Sequence, residues 1–384
     1  MIAKKKKTCP KKSQKVYVAV SGGVDSSVSL ALLKEQGYDV VGVFIRVWQP
    51  NFLECNWKED KRDAMRVCAH LGVQFLEFNF EKEYKKEVAD YMIEEYKIGR
   101  TPNPDVMCNQ QIKFGTFLKK ALEMGTDFIA TGHYAKIESH KAGRYLLVGK
   151  DTNKDQSYFL WTLTQEQLKY VLFPIGGYQK KEVRKLAKKF KLLTAEKKDS
   201  QGLCFLGKLN VKDFLKHYIK EKPGKVLDQD GKIIGKHSGA VFFTLGERHG
   251  FKIFQKSPNE QPRYIVGKDL KKNILVVSQD PLLIKEGVGG GNAKNHHPAP
   301  QGTPPQKGGD VIQIENTNWI NKKPEENKIY QCQTRYHGEL LSCKTKYATP
   351  SVAQVIFKKP ILVAPGQSLV LYDREIVLGG GVAV

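Results

Sequence analysis

The chain has 384 residues, of which 40% are hydrophobic, and a formal net charge of +23 from 63 Lys and Arg against 40 Asp and Glu. That length supports two or three domains, each with its own core. No apolar run approaches the ~20 residues of a membrane helix, so the sequence predicts a protein that spans no bilayer. The basic excess, spread along stretches such as "KKEVRKLAKKFK", points to a polyanionic partner larger than a nucleotide.

The first 15 residues, "MIAKKKKTCPKKSQK", hold seven lysines and no apolar core. They read as a disordered basic tail rather than a secretory signal. Seven cysteines, at positions 9, 55, 68, 108, 204, 332 and 343, form no CxxC pair. This odd count predicts reduced thiols in a cytoplasmic protein.

Tyr17 to Val20 reads as a buried strand, and Val28, Leu32 and Leu33 as the inner face of a helix that stops at Gly37. The turn between them, "SGGVDSS", reads as an anion site; a bare strand-Gly-Gly-helix turn more often serves packing alone, but the full Ser-Gly-Gly-Val-Asp-Ser string is more specific. Gly22 and Gly23 free the backbone to aim its amides into one concavity, and the helix dipole adds positive charge there. Ser21, Ser26 and Ser27 supply hydroxyls, and Asp25 is placed to hold Mg²⁺. The turn lacks the lysine of a Walker loop.

Further along come a strand at Val40 to Ile45, a helix carrying Ala64, Val67, Cys68 and Leu71, and a strand at Gln74 to Phe78. A helix with Tyr84, Val88, Tyr91 and Met92 follows, then a loop "GRTPNPDVMCN", a helix from about Gln111 and a strand "DFIATGHY". Such alternation predicts a doubly wound parallel sheet with ligands at the carboxyl ends of its strands. Thr164 and Gln167 form a capping box, and Val183, Leu186, Ala187 and Phe190 a helical face. From Lys222 the texture turns to glycine turns and short β-rich runs. Residues 285–310 are Gly- and Pro-rich and predict a mobile loop containing His296 and His297, after which alternating segments predict a small β-barrel. The expected division is a tail at 1–15, a catalytic domain at 16–210, a small central domain at 211–280 and a barrel at 281–384.

Two cysteines have settings suited to chemistry. Cys108, in "TPNPDVMCNQQIKFG", lies near a helix start whose dipole favours a thiolate, with Asn109 as the expected cap; Cys204, in "EKKDSQGLCFLG", lies in a polar segment after two lysines. Each reads equally as a nucleophile or as a structural thiol. Asp105 reads as an acid-base partner for Cys108 or as a solvated turn residue, and His133 as a ligand contact or a core-edge histidine.

The strings SGGVDSS, TPNPDVMCNQQIKFG, ATGHYAKI, KDQSYFLW, DSQGLCFLG, HSGAVFFTLGERHG, TRYHG and APGQSLVLY, in this order, resemble the tRNA-specific 2-thiouridylase family. The resemblance implies a pyrophosphate-loop domain of the adenine nucleotide alpha hydrolase-like fold, a central domain and a C-terminal β-barrel that together clasp tRNA. It implies ATP at Ala19, Val20, Ser21, Gly22, Gly23, Val24, Asp25, Ser26, Gly132 and the main chain of Ile45, where many relatives carry Met. Cys204 would carry a persulfide received from a sulfur-relay or cysteine desulfurase protein. ATP would adenylate O2 of the wobble uridine, the persulfide sulfur would attack C2, and Cys108 would close a disulfide with Cys204, with Asp105 as acid-base partner. The tRNA contacts implied are Asn103, Pro104, Asp105, His133, Lys154, Asp155, Gln156, Arg335, Tyr336 and Gln367, on acceptors for Lys, Glu and Gln. An iron-sulfur cluster on Cys108, Cys204 and Asp105 is the alternative to the persulfide. The rival functions are an adenylating ligase acting on a small metabolite and a catalytically silent RNA-binding protein.

Overall fold

The computed structural model describes residues 13–53, 57–199, 204, 210–255, 261–280 and 310–384. The first 12 residues of the basic tail, Cys9, Cys55 and the Gly/Pro-rich stretch with His296 and His297 lie outside the described residues.

In chain order the first seven strands are β1 (Lys15–Ala19), β2 (Asp39–Arg46), β3 (Gln74–Asn79), β4 (Phe128–Ala130), β5 (Ala135–His140), β6 (Gly143–Val148) and β7 (Val171–Leu172). Five of them form a parallel sheet in the order β3-β2-β1-β4-β7. Its helices are α1 (Val24–Glu35), α2 (Trp57–Leu71), α3 (residues 81–97), α4 (residues 104–123) and α5 (Lys180–Lys189). The strand order reverses between β1 and β4, so the crevice at their carboxyl ends is the topological switch point where such sheets bind ligands.

Both sheet faces are covered, which is why β1 reads as a continuous apolar run. Val16 and Val18 pack with Val28, Leu30, Ala64, Val67, Val183 and Ala187 on one side. Tyr17 faces the other side, with Val41, Val43, Phe78, Ile112 and Phe117. The alternation along β1 is the period of a strand expressed between two helical layers.

Two expectations are corrected here. The helix expected from about Gln111 begins at Pro104, so Cys108 and Asn109 lie inside it. Asn103, not Asn109, is the cap: its Oδ1 accepts from Val106 N at 3.2 Å, and Pro104 takes the first helical position, where its ring is pre-set and its missing N–H costs nothing. Asn109 is instead buried, donating from Nδ2 to Phe159 O at 3.3 Å. The expected strand "DFIATGHY" is also shorter. It leaves the sheet after Ala130 and re-enters a different one at Ala135.

The middle of α4, Cys108–Thr116, is a π-helix. Thr116 Oγ1 donates to Gln111 O at 3.0 Å, and a Cβ on Gly115 would meet Gln110 O at 2.7 Å, so the widened turn is fitted with a hydroxyl and a glycine. Such turns mark functional sites in helices.

After α6 (Val211–Lys216) come β8 (Gly224–Leu227), β9 (Ile233–His237), β10 (Lys252–Ile253), β11 (Tyr264–Asp269) and β12 (Ile274–Ser278), a second sheet ordered β10-β9-β8-β12-β11. Its core of Val226, Ile265, Leu275 and Val277 is shared with Phe214 and Leu215 of α6 and Met92, Ile93 and Tyr96 of α3. The last strands are β13 (Val311–Trp319), β14 (Tyr330–Gln333), β15 (Leu341–Thr349), β16 (Val352–Phe357), β17 (Ser368–Asp373) and β18 (Ile376–Ala383). They run β13-β16-β15-β14-β17-β18, and β18 pairs again with β13, closing a barrel. The β5–β6 hairpin extends this sheet through Ile376 and Leu147.

Candidate active site

The loop between β1 and α1 is shaped by its glycines and serines. Gly22 has a φ of +75°, open to glycine at little cost, and Gly23 sits at the N-cap of α1 with no side chain capping it. The first amides of this 12-residue helix therefore have no side-chain cap, and Asp25 is the one acidic residue of its first turn. Ser21 N donates to Ser26 Oγ at 3.1 Å and Ser27 Oγ donates to Gly23 O at 2.7 Å, which fixes the curl of the loop. A Cβ on Gly132 would lie 2.8 Å from Ser26 N, so only glycine lets the end of β4 approach the helix tip. Ala19 pairs with Val43, and Ile45 lies two residues further along β2, buried at the same end of the sheet. Residues 19–26, Ile45 and Gly132 thus lie at the carboxyl end of the parallel sheet.

Asp25 is engaged. Its Oδ1 accepts from Tyr134 Oη at 2.8 Å and from Lys180 Nζ at 2.8 Å, and its Oδ2 accepts from Lys180 Nζ at 2.7 Å. Lys180 Nζ also reaches Asp199 at 2.9 Å. Asp199 accepts in addition from Lys154 Nζ and Arg184 Nη2, each at 2.8 Å. Burial works to raise the Asp199 carboxyl, but Lys154 and Lys180 outweigh it and hold its pKa at about 2.

The second cluster lies beside the first turns of α4. Cys108 Sγ and Cys204 Sγ, 96 residues apart in sequence, are 3.3 Å apart, and both thiols are free. Asp105 Oδ1 accepts from Cys204 N at 2.8 Å and Tyr84 Oη donates to Cys204 O at 2.8 Å, so carboxylate and phenol grip the main chain of Cys204 from two elements. The thiols differ. The hydrogen bond from Cys108 lowers the Cys204 pKa, while burial pushes Cys108 well up, so Cys204 is the more acidic of the two and Cys108 donates to it. Burial also raises Asp105 above the usual carboxylate range.

Sequence reasoning missed Lys113. The wide π turn carries it towards the face of α4 that bears Cys108, where burial opposes its charge but both thiols and Asp105 outweigh that cost and keep it an ammonium. Its Nζ lies 3.4 Å from His133 Nε2, and His133 Nδ1 is 2.7 Å from Thr131 Oγ1. Burial, reinforced by Lys113, drives the His133 pKa well down, so the ring is neutral, accepting at Nε2 and donating from Nδ1. The only sequence signal for this lysine was its spacing after Cys108 on a helix.

The residues expected to meet tRNA fall into exposed and committed sets. Arg335 and Tyr336 are exposed, and the Tyr336 ring lies 4.3 Å from that of Phe159, tilted by 42°. Beside them Thr152, Asn153, Asp155, Gln333 and His337 line a cavity of about 350 Å³. His133 is 5% exposed and enclosed by Phe114 and Phe173 rather than facing solvent. Asp155 is bonded to Gly149 N and to Ser157, Gln156 Oε1 accepts from Tyr134 N at 3.1 Å, and Gln367 Nε2 donates to Thr101 O at 2.7 Å. Asn103, Pro104 and Asp105 form the partly buried start of α4, beneath the thiols. Among the described residues no three His, Cys, Asp or Glu side chains converge as metal ligands, and Asp105 turns to the Cys204 amide. No helix among them is long and apolar enough to cross a membrane.

A parallel sheet with a glycine-rich first turn, followed by a central sheet and a closed C-terminal barrel, defines an α/β protein of the pyrophosphate-loop class. Sequence profiles agree on its parts: "tRNA methyl transferase HUP domain" matches residues 14–208, "tRNA methyl transferase PRC-barrel domain" residues 212–279, and "Aminomethyltransferase beta-barrel domain" residues 309–383. The chain belongs to the tRNA-specific 2-thiouridylase family. The protein of that name from Bacillus velezensis is 43% identical over 96% of this chain and 94% of its own. That from Bacillus pumilus is 44% identical over the same shares. A solved U34-tRNA thiolase from Methanococcus maripaludis aligns with a TM-score of 0.33 at 18% identity, covering 54% of this chain and 67% of that one.

Proposed function

We propose that this protein is a cytoplasmic enzyme that uses ATP and Mg²⁺ to replace O2 of the wobble uridine of tRNA with sulfur. The observation that carries this reading is the 3.3 Å contact between Cys108 and Cys204, because it gives a sulfur-transfer cycle both of the thiols it needs. The names of the relatives support thiolation of tRNA. The methyl-transfer labels on the profiles offer no account of the paired thiols.

In this reading the crevice at α1 holds the nucleotide phosphates, and uridine O2 attacks the α-phosphate to give adenylated uridine and pyrophosphate. Cys204, the more acidic thiol, receives a sulfane sulfur from a donor protein. Its terminal sulfur attacks C2, with the persulfide proton passing to Asp105, whose buried carboxyl is poised nearer neutrality than a free one. AMP leaves, and Cys108 sulfur displaces the uridine-bound sulfur from Cys204, closing a Cys108–Cys204 disulfide. The transferred sulfur gains the two electrons that the thiols lose, and an external thiol reductant resets the pair. Arg335 and Tyr336 contact the tRNA backbone and a splayed base, Lys154 to Gln156 and Gln367 border that surface, and Asn103, Pro104 and Asp105 frame the flipped uridine. The acceptors for Lys, Glu and Gln are the expected substrates. The separation into a catalytic, a central and a barrel domain near residues 210 and 281 belongs to the same reading.

The test is 2-thiouridine measured by nucleoside mass spectrometry in tRNA incubated with ATP, a persulfide donor and wild type, Cys108→Ser or Cys204→Ser. Wild type should thiolate and both variants should fall to background; full thiolation by either variant refutes the two-thiol cycle.

A further inference from the structure

A loop that binds polyphosphate generally brings a cation to it, yet Ser21 to Ser27 contains no lysine or arginine. We propose that Lys180 is the phosphate-binding lysine of this site, delivered to the loop from the first turn of α5, and that Asp199 is the residue that positions it. This inference rests on the ATP reading above and assigns one further ligand to it.

The placement is specific. Lys180 is a side chain on a helix remote from the loop in sequence, yet its Nζ lies within 2.8 Å of both carboxylate oxygens of Asp25, in the first turn of α1. The side chain is only 13% exposed, so its stem is held and its ammonium has little freedom except along the crevice. Its backbone is fixed as well, with Lys180 N donating to Asp151 Oδ2 at 2.8 Å. A phosphate oxygen seated on the α1 amides would lie beside Asp25, within the sweep of a lysine terminus.

The surrounding bonds explain why such a move is inexpensive. Tyr134 Oη holds Asp25 Oδ1 independently at 2.8 Å, so the carboxylate keeps its place if Lys180 turns to phosphate. Asp199 keeps the ammonium anchored at 2.9 Å from the other side. Asp199 is itself fixed by Lys154 and by Arg184, whose guanidinium also donates to Ala195 O at 2.7 Å and Lys197 O at 3.0 Å. Three cations, Lys154, Lys180 and Arg184, thus converge on Asp25 and Asp199, so charged donors are already gathered at the tip of α1 where an incoming phosphate would need them. The neighbouring Lys197 is committed to Asp60 and Asp63 and is not available to phosphate in the same way.

A purely structural ion pair and a phosphate ligand differ in one measurable respect. If Lys180 meets the outer phosphates, its loss should weaken ATP but not AMP. Equilibrium dialysis of both nucleotides against wild type, Lys180→Met, Lys180→Arg and Asp199→Asn, with folding checked by circular dichroism, separates the two. Lys180→Met should lose roughly ten- to hundredfold in ATP affinity, the range of one charged hydrogen bond, with AMP affinity unchanged within about twofold. Lys180→Arg should recover part of the ATP loss, and Asp199→Asn should show a smaller loss with the same ATP selectivity. Equal weakening of ATP and AMP by Lys180→Met, or no weakening, overturns the assignment. Wild-type protein that binds no ATP overturns the adenylation reading itself, a result distinct from either.

Discussion

At the residue scale the chemistry depends on how one thiol is made unlike its neighbour. Cys204 accepts a hydrogen bond from Cys108, and this, more than any other influence, brings its pKa below the ordinary thiol value of 9.0; burial drives Cys108 the other way. Since only the thiolate alkylates, raising the pH should label Cys204 before Cys108. Peptide mass spectrometry after brief iodoacetamide treatment between about pH 6 and pH 8 checks this. Removing the cation should move the Cys204 profile to higher pH, so Lys113→Met needs a more alkaline solution for the same labelling. Earlier labelling of Cys108 would contradict the assignment of roles. Cys68 shows the contrast: buried on the apolar face of α2, its thiol is pushed up to about 11 by burial.

At the element scale α4 is the feature that assembles the site, and it is the one the sequence conveyed least well. Two prolines in "TPNPDVMCN" read as a stiff loop, whereas Asn103 and Pro104 are the start signals of a helix. The π turn from Cys108 to Thr116 has no signature of its own in a single sequence, and Lys113 and Gly115 acquire meaning only once that turn is seen. Gly115→Ala would force a methyl against Gln110 O, 2.7 Å away, and should destabilise the protein by about 1–3 kcal/mol with reduced thiolation. Urea unfolding monitored by circular dichroism checks it, and an unchanged midpoint would mean that the turn is not under this constraint. The turn between β1 and α1, by contrast, was legible as structure because Gly22 and Gly23 break a buried apolar strand from the apolar helix that follows. The β5–β6 hairpin was hidden for the opposite reason, since its alternation marks strands but not which sheet they join.

At the scale of the whole molecule the three sheets meet around the site. Thr101, just before α4, donates from N to Pro365 O at 2.7 Å, and Tyr158 donates to Ser368 O at 2.9 Å, so the barrel is bonded to the segments that carry the thiols and the expected RNA turn. Thr101 and Thr244 share a hydrogen bond of 3.0 Å, tying in the central sheet. The net charge of +23 is not all available to a partner, because part of the most basic run is spent internally: Lys180, Arg184, Lys188 and Lys189 pair with Asp25, Asp199, Glu196 and Glu35. The charge that tRNA meets must therefore come from elsewhere, and Arg335 lies on the exposed rim. Filter binding of tRNA across a salt series should give a log–log slope of about −0.7 to −0.9 for each phosphate neutralised. Arg335→Ala should reduce the slope by about one contact. A salt-independent affinity would contradict the polyanion surface.

The central claim is that Cys108 and Cys204 act on one sulfur in succession. A single-turnover reaction with persulfidated enzyme, ATP and excess tRNA, quenched in acid and alkylated, measures it directly by counting the Cys108–Cys204 disulfide against the 2-thiouridine formed. The account predicts equal amounts, appearing together and only with ATP. Thiouridine accumulating while both cysteines remain alkylatable would show that the sulfur travels by another route.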